Sequence, residues 1–389
     1  MQPAENGDSF VTLGVNEYRA DEPVIHKFLP WHRPRKQFVR QYQWCSQIAK
    51  LLRESPPKDN TLKYLGLPGV DLLDLRHFHS EICSKFTLSL RFLGFNSSAR
   101  PKTQAHSDLN VSLDEVRKLS SVDPLSDVIG DNFSLVAKPG SIAAKRAKEL
   151  GPYDVINLDL CDGFGASPPA DGPNEYSYYD AVNSLLTIQA RSSQPWLLLL
   201  TTRVDKQNID VDVLNKLFQI YLKNLESCEP FKAASLEHFA IETEEALRAA
   251  AGTPDGLLSV FLTSLCKWFL GITLSQKPPT SIELKSVIGY RVEEGAEHED
   301  LISIALRFTP SNRPVADPGG LAAQVDVPLD EGALATQALE RVSRRVDADA
   351  KLLNEPELNE RMTTDTAALL SLARYDTRGY RDWLASEQG

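Results

Sequence analysis

This chain lacks the short motifs that usually announce a chemistry. It has no CxxC pair, no HExxH, no GxSxG, no GxGxxG and no Walker A run, so zinc, serine-nucleophile and P-loop schemes have no anchor. His77 and His79 stand near Glu81, but a helix separates residues at that spacing around its circumference, and no metal site is expected. The five cysteines (Cys45, Cys83, Cys161, Cys228, Cys266) are scattered and odd in number, which argues for free buried thiols in a reducing compartment. No apolar run approaches about 18 residues, and the segment from Met1 to Glu17 has no signal-like core. A soluble, cytoplasmic protein without membrane contact is the expectation. Excess positive charge is also missing. A net charge of -11 opposes nucleic-acid binding by the surface as a whole and leaves room only for a local basic groove.

What the chain does have is apolar segments in regular alternation. Its 389 residues, 42% of them hydrophobic, suffice for one large domain or two ordinary ones. A helix starts at Pro34 and ends near Glu54, before Pro56 and Pro57. Strands are expected over 61–66, 86–95, 133–136, 153–160 and 196–202. Helices are expected over 71–85, 139–150, 178–191 and 211–225, with a polar loop at 97–111. Ser112 and Glu115 form a capping-box pattern that opens a short helix to Leu119. Strand and helix by turns predict a doubly covered, mainly parallel α/β sheet. Two helices split at Gly252-Thr-Pro254 follow, then an antiparallel pair at 282–291 and 301–308. The boundaries are an N-terminal helical extension at 1–60, an α/β domain at 61–308 with a helical insert at about 230–275, a linker at 309–330 and a helical tail at 331–389.

Two strand ends stand out. Leu62-Lys-Tyr-Leu-Gly66-Leu-Pro-Gly69 places glycines between a strand and a helix, where backbone approaches a ligand closely and the helix N-terminus favours an anion. Pro68 removes one amide donor, and a plain tight turn explains the same residues. Asp71 is either a cap of that helix or a ligand-facing carboxylate. Asp154-Val-Ile-Asn-Leu-Asp-Leu-Cys-Asp162-Gly-Phe-Gly165 ends an apolar strand in carboxylates, which are costly there unless paired. Asp159 falls at the strand's C-terminal end, where open sheets hold ligands, and Asp162 suits either that site or an Asx turn. Arg33, Arg35, Lys36 and Arg40, beside Trp31 and Trp44, form a candidate nucleic-acid surface or a solvated helix face.

These segments together resemble the class I S-adenosylmethionine-dependent methyltransferase fold over about 61–308. Tyr64-Leu-Gly66-Leu-Pro-Gly69 looks like the glycine turn after strand one, and Tyr153-Asp-Val-Ile-Asn-Leu-Asp159 looks like strand four. Trp196–Thr202 resembles strand five, and the 282–308 pair resembles the reversed hairpin edge of a seven-stranded sheet. Asn96 stands where that family carries the acid for the cofactor ribose, and its neutral bond is about half as strong. The resemblance implies S-adenosyl-L-methionine across Gly66, Gly69, Asp71 and Asn96. It implies Asp159 as the residue that positions cofactor or acceptor, and Asp162 and Tyr176 at the acceptor. The acceptor class is a nucleic acid or a protein. The first turn has fewer glycines than the family pattern, and no Asn/Asp-Pro-Pro-Tyr/Phe run marks an amino-methylating site. The alternative is a catalytically inactive scaffold or binding subunit of a bacterial multi-protein system, holding a protein partner through the 230–275 insert or the 331–389 tail.

Overall fold

The computed structural model describes residues 25, 27–167, 175–293, 298–311 and 329–386. The expected irregular lead-in over 1–20, most of the loop after Ser167 and most of the 309–330 linker lie outside the described residues. The α/β expectation holds. The sheet has the order β3-β2-β1-β4-β5-β7-β6-β8. Its strands are β1 (Thr61–Gly66), β2 (Ser89–Phe95), β3 (Asp127–Ile129), β4 (Val155–Asp159), β5 (Trp196–Arg203), β6 (Thr280–Tyr290), β7 (Leu301–Pro310) and β8 (Val346–Asp347). The first five run parallel, and β7 runs antiparallel between β5 and β6. This is the doubly wound, class I methyltransferase-like arrangement that the resemblance implied. The tail adds an eighth strand to the seven expected, because β8 pairs in parallel with the free edge of β6.

The strands form where apolar runs can be buried on both faces. Along β5, Leu198 and Leu200 pack into one core and Leu197 and Leu199 into the other. Each leucine so covered contributes about 1.5–3 kcal/mol. The first core holds the helices Tyr178–Gln189, Val211–Ser227 and Pro254–Leu274. The second holds the N-terminal helix, which is α over Pro34–Phe38, π over Val39–Cys45 and α again over Ser46–Glu54. Beside it lies the helical run after β1, α over Leu73–Phe78, π over His79–Cys83 and α over Ser84–Phe86.

Several local expectations are corrected. The helix expected from Ser112 begins earlier, at Gln104 within the expected loop, and runs to Arg117, capped by Thr103, whose side chain accepts from the His106 amide. Ser112 lies buried inside that helix and caps nothing. Phe133–Ala137 is a 3-10 turn, and the third strand lies earlier, at Asp127–Ile129. The insert has three helices, Glu229–Phe239, Glu244–Ala250 and Pro254–Leu274. The last of these contradicts the reading that no apolar run is long enough to span a membrane: it has 21 residues, and its mean hydropathy reaches 1.7. It is a core helix, most of it buried against protein, and burial all round accounts for its composition.

The tail divides between the two faces. Glu331–Ser343 packs on β6 and on the insert helices, whereas Pro356–Leu372 packs on the N-terminal helix and on Leu73–Phe78. Ile25 bridges to Tyr375 in parallel, so the two ends of the described chain meet. Phe28 packs with Tyr375, Tyr380 and Trp383 there.

Candidate functional site

Strand order reverses between β1 and β4, and the crevice of such a sheet opens at the C-terminal strand ends. Gly66 pairs with Gly94 on β2 and with Asn157 on β4, and Asp159 pairs with Thr201 on β5. Gly66, Asn96 and Asp159 therefore share one rim of one sheet. What the chain does with that rim differs from what the motifs suggest.

The turn after β1 folds inward. The Asn96 Nδ2 donates to the Pro68 carbonyl at 2.9 Å, while its Oδ1 accepts from the Ser98 and Ala99 amides at 3.0 and 3.2 Å. A Cβ on Gly94 would meet the Pro68 ring and Val128 at 2.9 Å, so this glycine is required to seat the proline. The side chain expected to meet a ribose hydroxyl is instead the clamp between two loops of the protein, and the Gly66–Gly69 turn packs on the end of β2. Leu72, at φ 54°, holds the left-handed conformation that turns the chain into the helix from Leu73.

Asp71 is buried among partners within the protein, and it is not the helix cap either, because the N-cap before Leu73 is Leu72 and no side chain caps there. The Tyr375 hydroxyl donates to the Asp71 carboxylate at 3.0 Å, and the His32 Nε2 lies 3.6 Å away. Burial acts to raise this carboxyl, but His32, Tyr375 and the charge of Arg40 hold it below its ordinary range.

The basic cluster is corrected most strongly. Lys36 and Arg40 are 4% and 3% exposed, so neither is available to a nucleic acid. The Lys36 ammonium pairs with Asp159, donates to the Tyr290 hydroxyl at 3.2 Å and lies 4.6 Å from the Trp44 ring centre. Burial alone would lower this ammonium; Asp159, with Tyr290 and Asp74, more than offsets that and raises it. Burial also pushes the Tyr290 hydroxyl up to about 12, which keeps it neutral. Arg40 pairs with Asp74 at 2.7 Å. Arg35 meets Asp349 at 2.9 Å and donates to the Arg291 carbonyl, and Arg33 lies 5.3 Å over the Trp383 ring. The N-terminal helix thus carries its cations onto carboxylates of the strand end, of the helix after β1 and of the tail.

Asp162 is exposed and receives the Tyr178 hydroxyl at 3.4 Å. Tyr176 is half-buried, immediately before the helix that Ser177 and Asp180 cap reciprocally. Sequence reasoning missed His32, Asp74, Tyr290, Asp349 and Tyr375 as partners. One signal was present: Trp44 continues the Lys36–Arg40 row at four-residue spacing, and a row that ends in tryptophan belongs on a core-facing surface. Among the described residues, no group of three or more His, Cys, Asp or Glu is placed to hold a metal ion.

As arranged, these groups do not fit the methyl-donating cofactor. The Asn96 amide at its ribose position is held by Pro68, Ser98 and Ala99, Pro68 of the first turn seats against Gly94 of β2, and the carboxylate at the end of β4 is paired with Lys36. The chain belongs to the PP_RS20740-like family, which matches residues 25–385. No curated protein matches it. Among solved structures, it is similar to a putative class I S-adenosylmethionine-dependent methyltransferase from Listeria monocytogenes, at 10% identity and TM-score 0.35 over 77% of this chain and 69% of that one. A probable spermidine synthase from Corynebacterium glutamicum gives 11% and 0.31 over 77% and 73%. DszA carbon methyltransferase gives 11% and 0.31 over 69% and 54%. At these scores the fold assignment rests on the sheet order itself.

Proposed function

We propose that this protein is a binding subunit built on a methyltransferase-like fold and that it does not transfer methyl groups. The observation that carries the reading is the Lys36–Asp159 pair at the end of β4. A cation from the N-terminal helix occupies the carboxylate that the resemblance assigned to cofactor or acceptor. The clamp of Asn96 on Pro68 supports the same reading at the ribose position. The partner class is protein: net charge -11 and the burial of Lys36 and Arg40 weigh against nucleic acid. The helical insert over 229–274 and the tail, which lie outside the β1–β7 framework, are the segments proposed to carry that partner, within a bacterial multi-protein system.

Titration calorimetry with S-adenosylmethionine and S-adenosylhomocysteine tests the first half. No heat of binding is expected up to about 1 mM, which corresponds to about 4 kcal/mol. Saturable binding well below that concentration would restore the methyltransferase reading. The second half is tested by the size of the protein in extract of its native host. A complex larger than the 43.2 kDa chain is expected; a monomer throughout would sink the subunit reading.

A further inference from the structure

The chain carries 42 lysines and arginines against 53 acids, and several of its surface helices neutralise their cations locally. Lys85 pairs with Glu81, Lys118 with Asp114, Arg248 with Glu244 and Lys351 with Glu355, all at four-residue spacing. The helix Ile142–Leu150 departs from this. From Lys138 to Lys148 the sequence places Lys138, Lys145, Arg146 and Lys148 with no acid among them. Glu149, four residues after Lys145, goes to Arg146 at 3.3 Å instead. Among the described residues, Lys138, Lys145 and Lys148 have no ion pair, and all three are exposed. Arg191 adds a further cation at the far end, where its Nη2 donates to the Lys148 carbonyl at 3.3 Å.

Two features separate this face from an ordinary solvated helix. The helix dipole draws cations to the C-terminus, which accounts for Lys148 and Arg191. Lys138 stands at the other end, just before the N-cap Ser141, whose amide donates to the Lys138 carbonyl at 3.2 Å; there the dipole disfavours a cation. Ile142 is 67% exposed and, three residues from Lys145, shares its face. An apolar centre with a charged rim is the anatomy of a protein interface. The opposite side of the helix is fixed. Ala143, Ala147 and Leu150 belong to the core that also holds the insert helix Pro254–Leu274, so this face and the insert lie on one side of the sheet.

We propose that the exposed face of the helix Ile142–Leu150, with Lys138 and Arg191 at its two ends, docks an acidic segment of a protein partner, rich in Asp and Glu and with an apolar side chain over Ile142. This rests on the binding-subunit reading and gives the partner a charge and a place. A nucleic-acid duplex or a lipid surface faces a whole side of the molecule and meets the chain's excess of acids, whereas a peptide segment meets the patch alone. The helix carries no aromatic side chain on which a base stacks. Both arginines are engaged within the protein, Arg146 by Glu149 and Arg191 by the Ile188 and Lys148 carbonyls. The free groups are therefore ammonium point charges, not the planar forks that suit phosphate best.

The test follows the complex of the full chain in extract of its native host, by its size and by the concentration at which it half-dissociates. Lys138→Glu, Lys145→Glu and Lys148→Glu together should weaken the complex by about tenfold or more, since one exposed pair contributes a factor of about 1.5 to 5. Their urea midpoint should match the parent's, because all three side chains are exposed and unpaired among the described residues. Ile142→Ser, which removes no charge, should weaken it by about fivefold or more. The same charge reversal at Lys50, Lys58 and Lys223, exposed lysines elsewhere, should leave affinity within about twofold. Polyglutamate should compete the partner away, and polylysine-free neutral dextran should not. A complex that survives the triple variant, that the control reversal weakens equally, or that polyglutamate leaves intact would overturn the proposal. So would a complex dissolved by nuclease or by detergent, which would give the face to nucleic acid or to membrane. A native chain that runs as a monomer throughout is the separate outcome that sinks the binding-subunit reading itself.

Discussion

Breaking the Lys36–Asp159 pair from either side should give two different penalties, and the asymmetry is the test of whether this pair closes the crevice. The Lys36 side chain is 5% exposed and that of Asp159 20%. Asp159→Asn strands an ammonium with almost no access to water, and removing one partner of a buried pair costs about 3–5 kcal/mol. Lys36→Met strands a carboxylate that water still reaches, and methionine fills most of the volume, so the cost should fall to about 1–3 kcal/mol. The double variant should recover most of the loss, because replacing both members of a buried pair is often neutral. The readout is the urea midpoint at constant m-value.

The pH dependence adds a second arm. In the native chain the Lys36 ammonium is raised, so the pair's contribution is full below the ordinary lysine range and is lost only as pH rises through the folded value. In Asp159→Asn the largest opposing influence is gone and burial remains, so the folded value drops below the unfolded one. The unfolded chain then binds the extra proton, and stability rises with pH. The deficit of Asp159→Asn should therefore shrink between about pH 7 and pH 10. Equal small losses for both variants, or a deficit flat in pH, would show an ordinary surface contact and remove the main support for a closed crevice.

Other substitutions probe the neighbouring devices. Gly94→Ala should destabilise by about 1–3 kcal/mol through overpacking, since its Cβ would lie 2.9 Å from the Pro68 ring and Val128; the urea midpoint reads this. Asn96→Ala should cost about 1–3 kcal/mol by unpairing the Pro68 carbonyl and the Ser98 amide, and should raise the hydrogen exchange of the Ser98 amide, whereas the Ala99 amide keeps its bond to the residue-96 carbonyl. Burial raises Asp154 to about 6, so its contribution is full below the unfolded value of about 4 and is lost as pH rises through about 6, amounting to about 2–3 kcal/mol. Asp154→Asn should flatten that part of the pH–stability curve.

The strands that carry the crevice were legible because parallel strands covered on both faces read as continuous apolar runs. Trp196–Arg203 and Val155–Asp159 are such runs. Asp127–Ile129 was not legible, because three residues carry no period. Phe133–Ala137 was misread because a short apolar run does not separate strand from turn. The helix Gln104–Arg117 had its signal in Leu109, Leu113 and Val116, but the polar residues between them concealed it. At the site, the position of Asp159 followed from local sequence. Its partner did not, because Lys36 lies 123 residues away and nothing in either segment encodes the other. The same holds for Asp71 and Tyr375, 304 residues apart.

Whether a cofactor could enter by displacing the N-terminal helix is decided by what that helix buries. Phe38, Val39, Trp44, Ile48, Leu51 and Leu52 are each at most 4% exposed. Re-exposing side chains of this size costs about 1.5–3 kcal/mol apiece. The six together exceed the roughly 8 kcal/mol that a micromolar ligand supplies, before Asp159 and Asp74 lose their cations. A lid that opens for each turnover cannot carry such a cost, so the helix belongs to the folded core. The family match from residue 25 to 385 takes in both this helix and the tail helix packed on it. Amides over 38–52 should therefore exchange only through global unfolding, at the free energy of the slowest sheet amides. Exchange of that stretch as a separate, less stable unit would show the helix lifting off the crevice with the sheet intact.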